Sequence, residues 1–159
     1  MGQFNWKRWT AVFALFTGVF MSATAQTNPP DSFNTDEYGV AIQGYDPVAY
    51  FTQDAAVPGD PRIRAEYQEV IFYFSSAQNL ELFNEDPEAY LPQYGGWCAW
   101  AASRNSIADV DPTQFVVHNG RLFLNYSGFI NLRFRTRLDH NIEQADRNWP
   151  DLSNEAASR

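Results

Sequence analysis

Cysteine occurs once in these 159 residues, histidine and methionine twice each, and lysine only at Lys7. One cysteine permits no internal disulfide, so its thiol is buried, metal-bound or open to a bond with another chain. No apolar run reaches the roughly 20 residues that a bilayer-spanning helix needs. There is no Ser-His-Asp order, phosphate loop, zinc-binding histidine pair or Gly-x-Ser-x-Gly turn. No catalytic constellation is therefore legible, and a non-enzyme is the preferred reading.

What is present begins with an address. Lys7 and Arg8 precede an apolar run of 13 residues, Trp9 to Met21, and Ala23-Thr24-Ala25 follows as a small-x-small processing site. Residues 1–25 read as a secretory signal peptide with Gln26 as the new N-terminus. The product is expected to be periplasmic or secreted, with no stable membrane anchor after cleavage. An uncleaved anchor is the competing reading, and the length of the run opposes it. Cleavage removes Lys7, Met1 and Met21 and leaves nine arginines against 19 acids, a net charge of −10. Lysine Schiff bases, lysine phosphate clamps and thioether copper ligation then drop out. So acidic a chain is expected to repel nucleic acid and anionic lipid.

Residues 26–37 are polar with two prolines and read as a flexible leader, 38–152 as one domain, and 153–159 as a C-terminal tail. Val48 to Phe51 suggests a short strand, and Asp54 to Pro61 a loop. Ala65 to Tyr67 and Val70 to Phe74 suggest a hairpin, although Gln68-Glu69 carries no standard turn signal. Ser75-Ser76 opens a helical pattern through Leu80 and Phe83, and Asp86-Pro87 restarts it. Gly95-Gly96 starts a further helix with Cys98 in its first turn. Phe115 to Val117 and Arg121 to Tyr126 flank Asn119-Gly120, the strongest hairpin signal. A helix follows Ser127, and Ile142 to Trp149 forms a last short one closed by Pro150. No internal repeat stands out. The class is α+β: a small single domain of β-hairpins, or one small antiparallel sheet, packed with several short helices.

Cys98 is the first candidate for chemistry. A helix's leading turn presents free N–H groups and favours thiolate, which suits a metal ligand or a redox thiol. Cysteine is equally at home as a small buried hydrophobe, here among Trp97, Trp100 and Tyr94. His118 and His140 are the only imidazoles, and with Cys98 they supply three ligands, though at spacings that match no short motif. His118 is expected at an exposed hairpin tip, and His140 near a helix C-terminus, complementing the dipole. Tyr94, Gly95, Gly96, Trp97 and Trp100 outline a ring-lined pocket that the glycines would let a ligand approach. The competing reading makes the aromatics ordinary core. Asp46, before Pro47, reads as an Asx-turn residue.

The run Y-Q-E-V-I-F-Y-F-S-S-A-Q-N-L-E-L-F-N-E-D-P-E-A-Y, Tyr67 to Tyr90, resembles the YHS domain family. That family's usual form has a Tyr-His-Gly hairpin, an aromatic strand, Phe-Cys-Ser, a second cysteine, then Phe and Asp-Pro-Glu-x-Tyr. Asp46-Pro47-Val48 resembles its Asp-Pro-Val-Cys segment. Tyr67, Phe74, Ser76, Phe83, Asp86, Pro87, Glu88 and Tyr90 keep the family identities. The family histidine is Gln68 here, and the cysteine positions hold Ala49, Ser75 and Asn79. Ala41 to Leu152 is similar to a secreted subgroup, through G-Y-D-P-V-A-Y-F, P-Q-Y-G-G-W-C-A and A-D-R-N-W-P-D-L. Some members of that subgroup carry selenocysteine where Cys98 stands. The resemblance implies metal binding, with copper as the metal, or selenol-like redox chemistry at that position.

Three readings follow. One is an exported domain binding Cu(I) through Cys98, helped by His118 or His140 or by a second Cys98 across a homodimer axis. The second is a thiol redox protein that needs an external resolving thiol. The third is a non-catalytic module for a ligand or protein partner, with Cys98 structural.

Overall fold

The computed structural model describes residues 32–158, so the signal peptide and residues 26–31 of the leader lie outside it. Two antiparallel hairpins, each a separate two-stranded sheet, are packed with helices, as the α+β reading expects. Hairpin one pairs β1 (Asp60–Tyr67) with β2 (Val70–Phe74) and leads into α2 (Ala77–Glu85). Hairpin two pairs β3 (Asp111–His118) with β4 (Arg121–Asn125) and leads into α4 (Gly128–Thr136). Short helices precede each hairpin, α1 (Ala49–Thr52) and α3 (Ala99–Ala102), and α5 (Leu138–Ala156) closes the chain.

These elements are two copies of one unit. Every boundary of β3, β4 and α4 lies 51 residues after its counterpart in β1, β2 and α2. Each hairpin has a register shift at the same place, between Asp60 and Arg64 and between Asp111 and Phe115. Ser76 and Ser127 both cap their helices by accepting the amide of the third residue on, Asn79 and Ile130. Phe72 stacks on Phe83 at 5.1 Å, and Phe123 on Phe134 at 5.7 Å. Upstream, Ile42-Gln43-Gly44 and Tyr94-Gly95-Gly96 both run three residues at positive φ. Tyr45 and Trp97 then close those turns with identical 3.0 Å bonds to Ile42 and Tyr94 carbonyls. Of the 26 positions in each ββα stretch, five hold the same residue: Asp60/Asp111, Pro61/Pro112, Phe72/Phe123, Ser76/Ser127 and Phe83/Phe134. The expectation of no internal repeat is thus corrected. Only capping, bulge and core-ring positions survive as identities, too thinly spread to register as a repeating motif.

The second unit also supplies the partition between two cores. Along β4 the pleat sends Leu122 and Leu124 into a core with Phe72, Phe74 and Phe83 and Phe123 into another with Phe134, Ile142 and Trp149. Both faces of β4 are consequently buried.

Several local expectations change. Val48 to Phe51 is largely helix, because the Asp46 carboxylate accepts the amides of Val48 (2.9 Å) and Ala49 (3.3 Å) and so caps a turn. β1 begins inside the expected loop, at Asp60. Asp86-Pro87 opens only a 3₁₀ turn, Pro87–Tyr90. Pro150 lies inside α5 instead of ending it. The described part of the leader, from Ser32, packs on the domain: Phe33 is buried against Phe72, and the Asn34 amide bonds the Gly95 carbonyl at 2.8 Å. The tail is helical to Ala156, with Ser153 and Ala156 buried, so packing continues past Leu152.

Candidate functional site

Cys98 is the N-cap residue of α3, in extended conformation, rather than part of its first turn. It is 1% exposed. Burial pushes its thiol pKa up, and the backbone amides of Ala101, Tyr126 and Trp100 oppose that only in part. The expected activated thiolate is therefore corrected: losing water outweighs three N–H dipoles. The side-chain neighbour agrees. Asn125 points Oδ1 at the sulfur, 3.9 Å away, and its amide nitrogen donates to Asn131 at 3.1 Å. An acceptor facing sulfur suits S–H, not S⁻.

The repeat explains why amides gather there. Asp46 occupies the equivalent position in the first unit. Its carboxylate accepts the amides two and three residues on, Val48 and Ala49, and the Ser75 amide at 2.7 Å. Around Cys98 the amides two and three residues on, Trp100 and Ala101, and that of Tyr126, 51 residues after Ser75, act on the sulfur in the same sense, although the Trp100 amide itself donates to Asn125 Oδ1 at 3.1 Å. One backbone nest holds a carboxylate in the first unit and a thiol in the second. Asp46 is further bonded by the Ser75 hydroxyl (2.6 Å) and the Asn79 amide (2.6 Å). Tyr126 and Ile130 stand at those positions beside Cys98 and leave it no such donors.

The three candidate metal residues are not brought together. Cys98 sits against Asn125 at one end of β4, whereas His118 pairs with Arg121 at the other, about 13 Å along the strand. His118 is half-buried, its Nε2 2.9 Å from Asp139 Oδ1. His140 lies in the first turn of α5, not near a helix C-terminus, so it does not complement a dipole there. Among the described residues no three His, Cys, Asp or Glu side chains are grouped to hold a metal ion.

The ring-lined pocket is occupied by the chain itself. A Cβ on Gly95 would stand 2.5 Å from the Ser32 carbonyl, so the close approach that the glycine permits is to the protein's own N-terminal segment. That carbonyl also accepts the Trp97 indole N–H at 2.8 Å. Trp100 is partly buried beneath the Arg104 guanidinium, 4.2 Å from its ring.

Tyr94 leads to a place that sequence spacing does not mark. Its hydroxyl donates to Asp146 at 2.8 Å. Asp146 also receives both Arg121 amino groups, at 2.6 and 3.0 Å, while Arg121 Nε bonds Gln93 at 2.9 Å. Burial first, then the Asp146 charge, raises the Tyr94 pKa far above the usual phenol value, so it remains a donor. The hydrogen bonds to Asp146 raise that of Arg121. Arg121 and Asp146 wall a cavity of about 190 Å³ between the second hairpin's turn and α5. His118, Asp139 and Glu143 rim it, over a floor of Phe123 and Ile142. Arg121 and His118 flank the Asn119-Gly120 turn, so a polar pair across a predicted turn was the only visible signal. Asp139, Glu143 and Asp146 recur at helical spacing in α5, a pattern equally typical of a solvated face.

No family model, curated protein or solved structure matches the chain.

Proposed function

We propose that the chain is an exported, non-catalytic binding module of YHS-like type, with Cys98 structural and the ligand seated in the cavity between the second hairpin and α5. One observation carries the reading: His118, Arg121, Asp139, Glu143 and Asp146 converge on an apolar floor at the surface, far apart in sequence though they are. His118 and three carboxylates line this cavity and are held in ion pairs, His118 with Asp139, Arg121 with Asp146 and Arg147 with Glu143, an arrangement that suits recognition rather than turnover. With Arg147 paired to Glu143, three carboxylates still outnumber two guanidinium groups, which favours a cation, and the volume suits a small amine with a short apolar body. The YHS-like part of the reading is supported by the first unit. Ala49, Ser75 and Asn79, where the family has cysteines, all meet at Asp46. A buried carboxylate there does the knitting that metal would do in the family.

Benzylamine and butylamine should raise the melting temperature and give calorimetric binding, benzoate and butyrate should not, and Asp139→Asn with Glu143→Gln should abolish the difference. Amines and carboxylates behaving alike would sink the ligand assignment. On the same reading, native Cys98 resists thiol reagents, and Cys98→Ser binds Cu(I) no differently from the wild type. Rapid native labelling, or Cu(I) held by the wild type alone, would return the sulfur to the function.

A further inference from the structure

We propose that the exposed face of α4 seats the protein reversibly on an anionic bilayer surface. Tyr126, Phe129 and Leu132 are 60%, 65% and 62% exposed, three large apolar side chains on one turn-and-helix face. The Arg133 guanidinium lies over the Phe129 ring at 5.1 Å; Arg135 and Arg137 are exposed further along, one Arg135 amino group donating to the Phe115 carbonyl at 2.9 Å. The internal duplication provides a control for what the fold itself requires. The equivalent positions of the first unit hold Ser75, Gln78 and Glu81, so this backbone accepts a polar face without cost. The apolar choice in α4 is therefore not a folding requirement.

Charge selects the occupant. From Pro112 to Leu138 there is no Asp or Glu, while Arg133, Arg135 and Arg137 fall there (Arg121, in the same stretch, is taken up by Asp146), in a chain with 19 acids. A cationic, aromatic and aliphatic edge on an otherwise acidic molecule fits phosphate headgroups above acyl chains. Guanidinium groups meet the phosphates, and Phe129, Leu132 and Tyr126 reach the interface. The general repulsion expected of so acidic a chain then acts to orient it, with this edge toward the lipid. A second copy fits less well. The acidic α2 face of a neighbour offers Gln78 and Glu81 and no apolar acceptor in a head-to-tail contact that would not close, and a symmetric α4–α4 contact would bring the Arg133 charges of two copies together. No helix among the described residues is long and apolar enough to cross a membrane, so the contact is peripheral.

The test uses protein recovered after export, sedimented with vesicles of phosphatidylglycerol and phosphatidylethanolamine in equal parts, or of phosphatidylcholine alone. Binding should favour the anionic vesicles by about tenfold or more and fall as salt is raised. Arg133→Gln with Arg137→Gln should weaken anionic binding by about thirtyfold, from two arginines at the surface. Phe129→Ser with Leu132→Ser should weaken it as well, while Gln78→Ser with Glu81→Gln should leave it unchanged. Melting temperatures of these surface variants should match the parent and so exclude misfolding. Equal binding to both vesicle types, or indifference to the α4 changes, would overturn the proposal. So would a concentration-dependent dimer or an acidic protein partner lost in the Phe129/Leu132 variant without any vesicle binding.

Discussion

At the scale of single residues, Asp46 and Cys98 show how one backbone nest tolerates two chemistries. Asp46 receives donors from Val48, Ala49, Ser75 and Asn79 while fully buried. Asp46→Ala should cost about 3 kcal/mol or more, because it strands several buried donors at once. Urea unfolding checks this, and a loss below about 1 kcal/mol would show that water takes over the nest. Cys98 gives the pH prediction. Its folded pKa is raised by burial, so its share of stability is intact below the unfolded thiol value, about 8.5, and is lost as pH climbs beyond it. Tyr50 and Tyr94, both raised chiefly by burial, add a steeper loss above about pH 10. Unfolding free energies at pH 7, 9 and 10 should therefore fall in that order, and Cys98→Ala should flatten the first interval (about pH 7 to 9). A Cys98→Ala curve parallel to the parent would contradict the sealed thiol. The sequence made Asp46 legible as an Asx-turn residue, because that bond is local. Its longer bonds to Ser75 and Asn79 depend on tertiary approach, which spacing does not encode. The same holds for Cys98: its helix-start setting was legible, but spacing did not choose between an activated thiolate and a buried thiol.

At the scale of elements, the two hairpins make an internal experiment on turn chemistry. Both turns place two residues at positive φ, Gln68-Glu69 in one and Asn119-Gly120 in the other. Left-handed backbone suits Asn and Gly and strains Gln and Glu by roughly 1 kcal/mol each. Glu69→Gly should therefore stabilise the protein by about 0.5–1 kcal/mol, read as a higher denaturant midpoint at unchanged slope. A lower midpoint would mean that the turn's side chains contribute more than its backbone costs. Gly95→Ala should do the reverse and sharply, since the new methyl would strike the Ser32 carbonyl at a residue already at positive φ. Asn119-Gly120 announced its hairpin, and Ser76 and Ser127 their helices, because those signals are local. The helix at Ala49–Thr52 was missed although Asp46-Pro47 is the same dipeptide as Asp86-Pro87. The β-prone residues that follow it outweighed the cap. Pro150 misled in the other direction, since a ring on an exposed helix face is tolerated when packing of Trp149 and Leu152 holds the turns on either side.

At the scale of the whole molecule, the duplication decides where the domain begins. Each unit's lead-in runs alongside its own hairpin through a parallel bridge, Val40 with Ile71 and Pro92 with Leu122. The stretch from Ser32 to Asn34 does something different, because it joins the units. Phe33 enters the first core edge-on to Phe72 at 6.4 Å, while its neighbours bond the second unit. Ser32 receives the Trp97 indole, and Asn34 bonds Gly95 through its backbone and Asp109 through its side chain. A chain beginning at Tyr38 should consequently lose about 3–5 kcal/mol, the range for emptying a buried phenylalanine site. Phe33→Ala in the full chain should by itself cost most of that amount, since the hydrogen bonds around it are partly exposed and replaceable by water. Two comparisons separate the possibilities. If truncation costs far more than Phe33→Ala, the backbone strap between the units matters more than the ring. If neither lowers the unfolding free energy, the segment is an ornament and the domain starts at Tyr38, as polarity alone suggested. The geometry favours the ring, because it is buried in the first core edge-on to Phe72, whereas the hydrogen bonds of Ser32 and Asn34 are partly exposed.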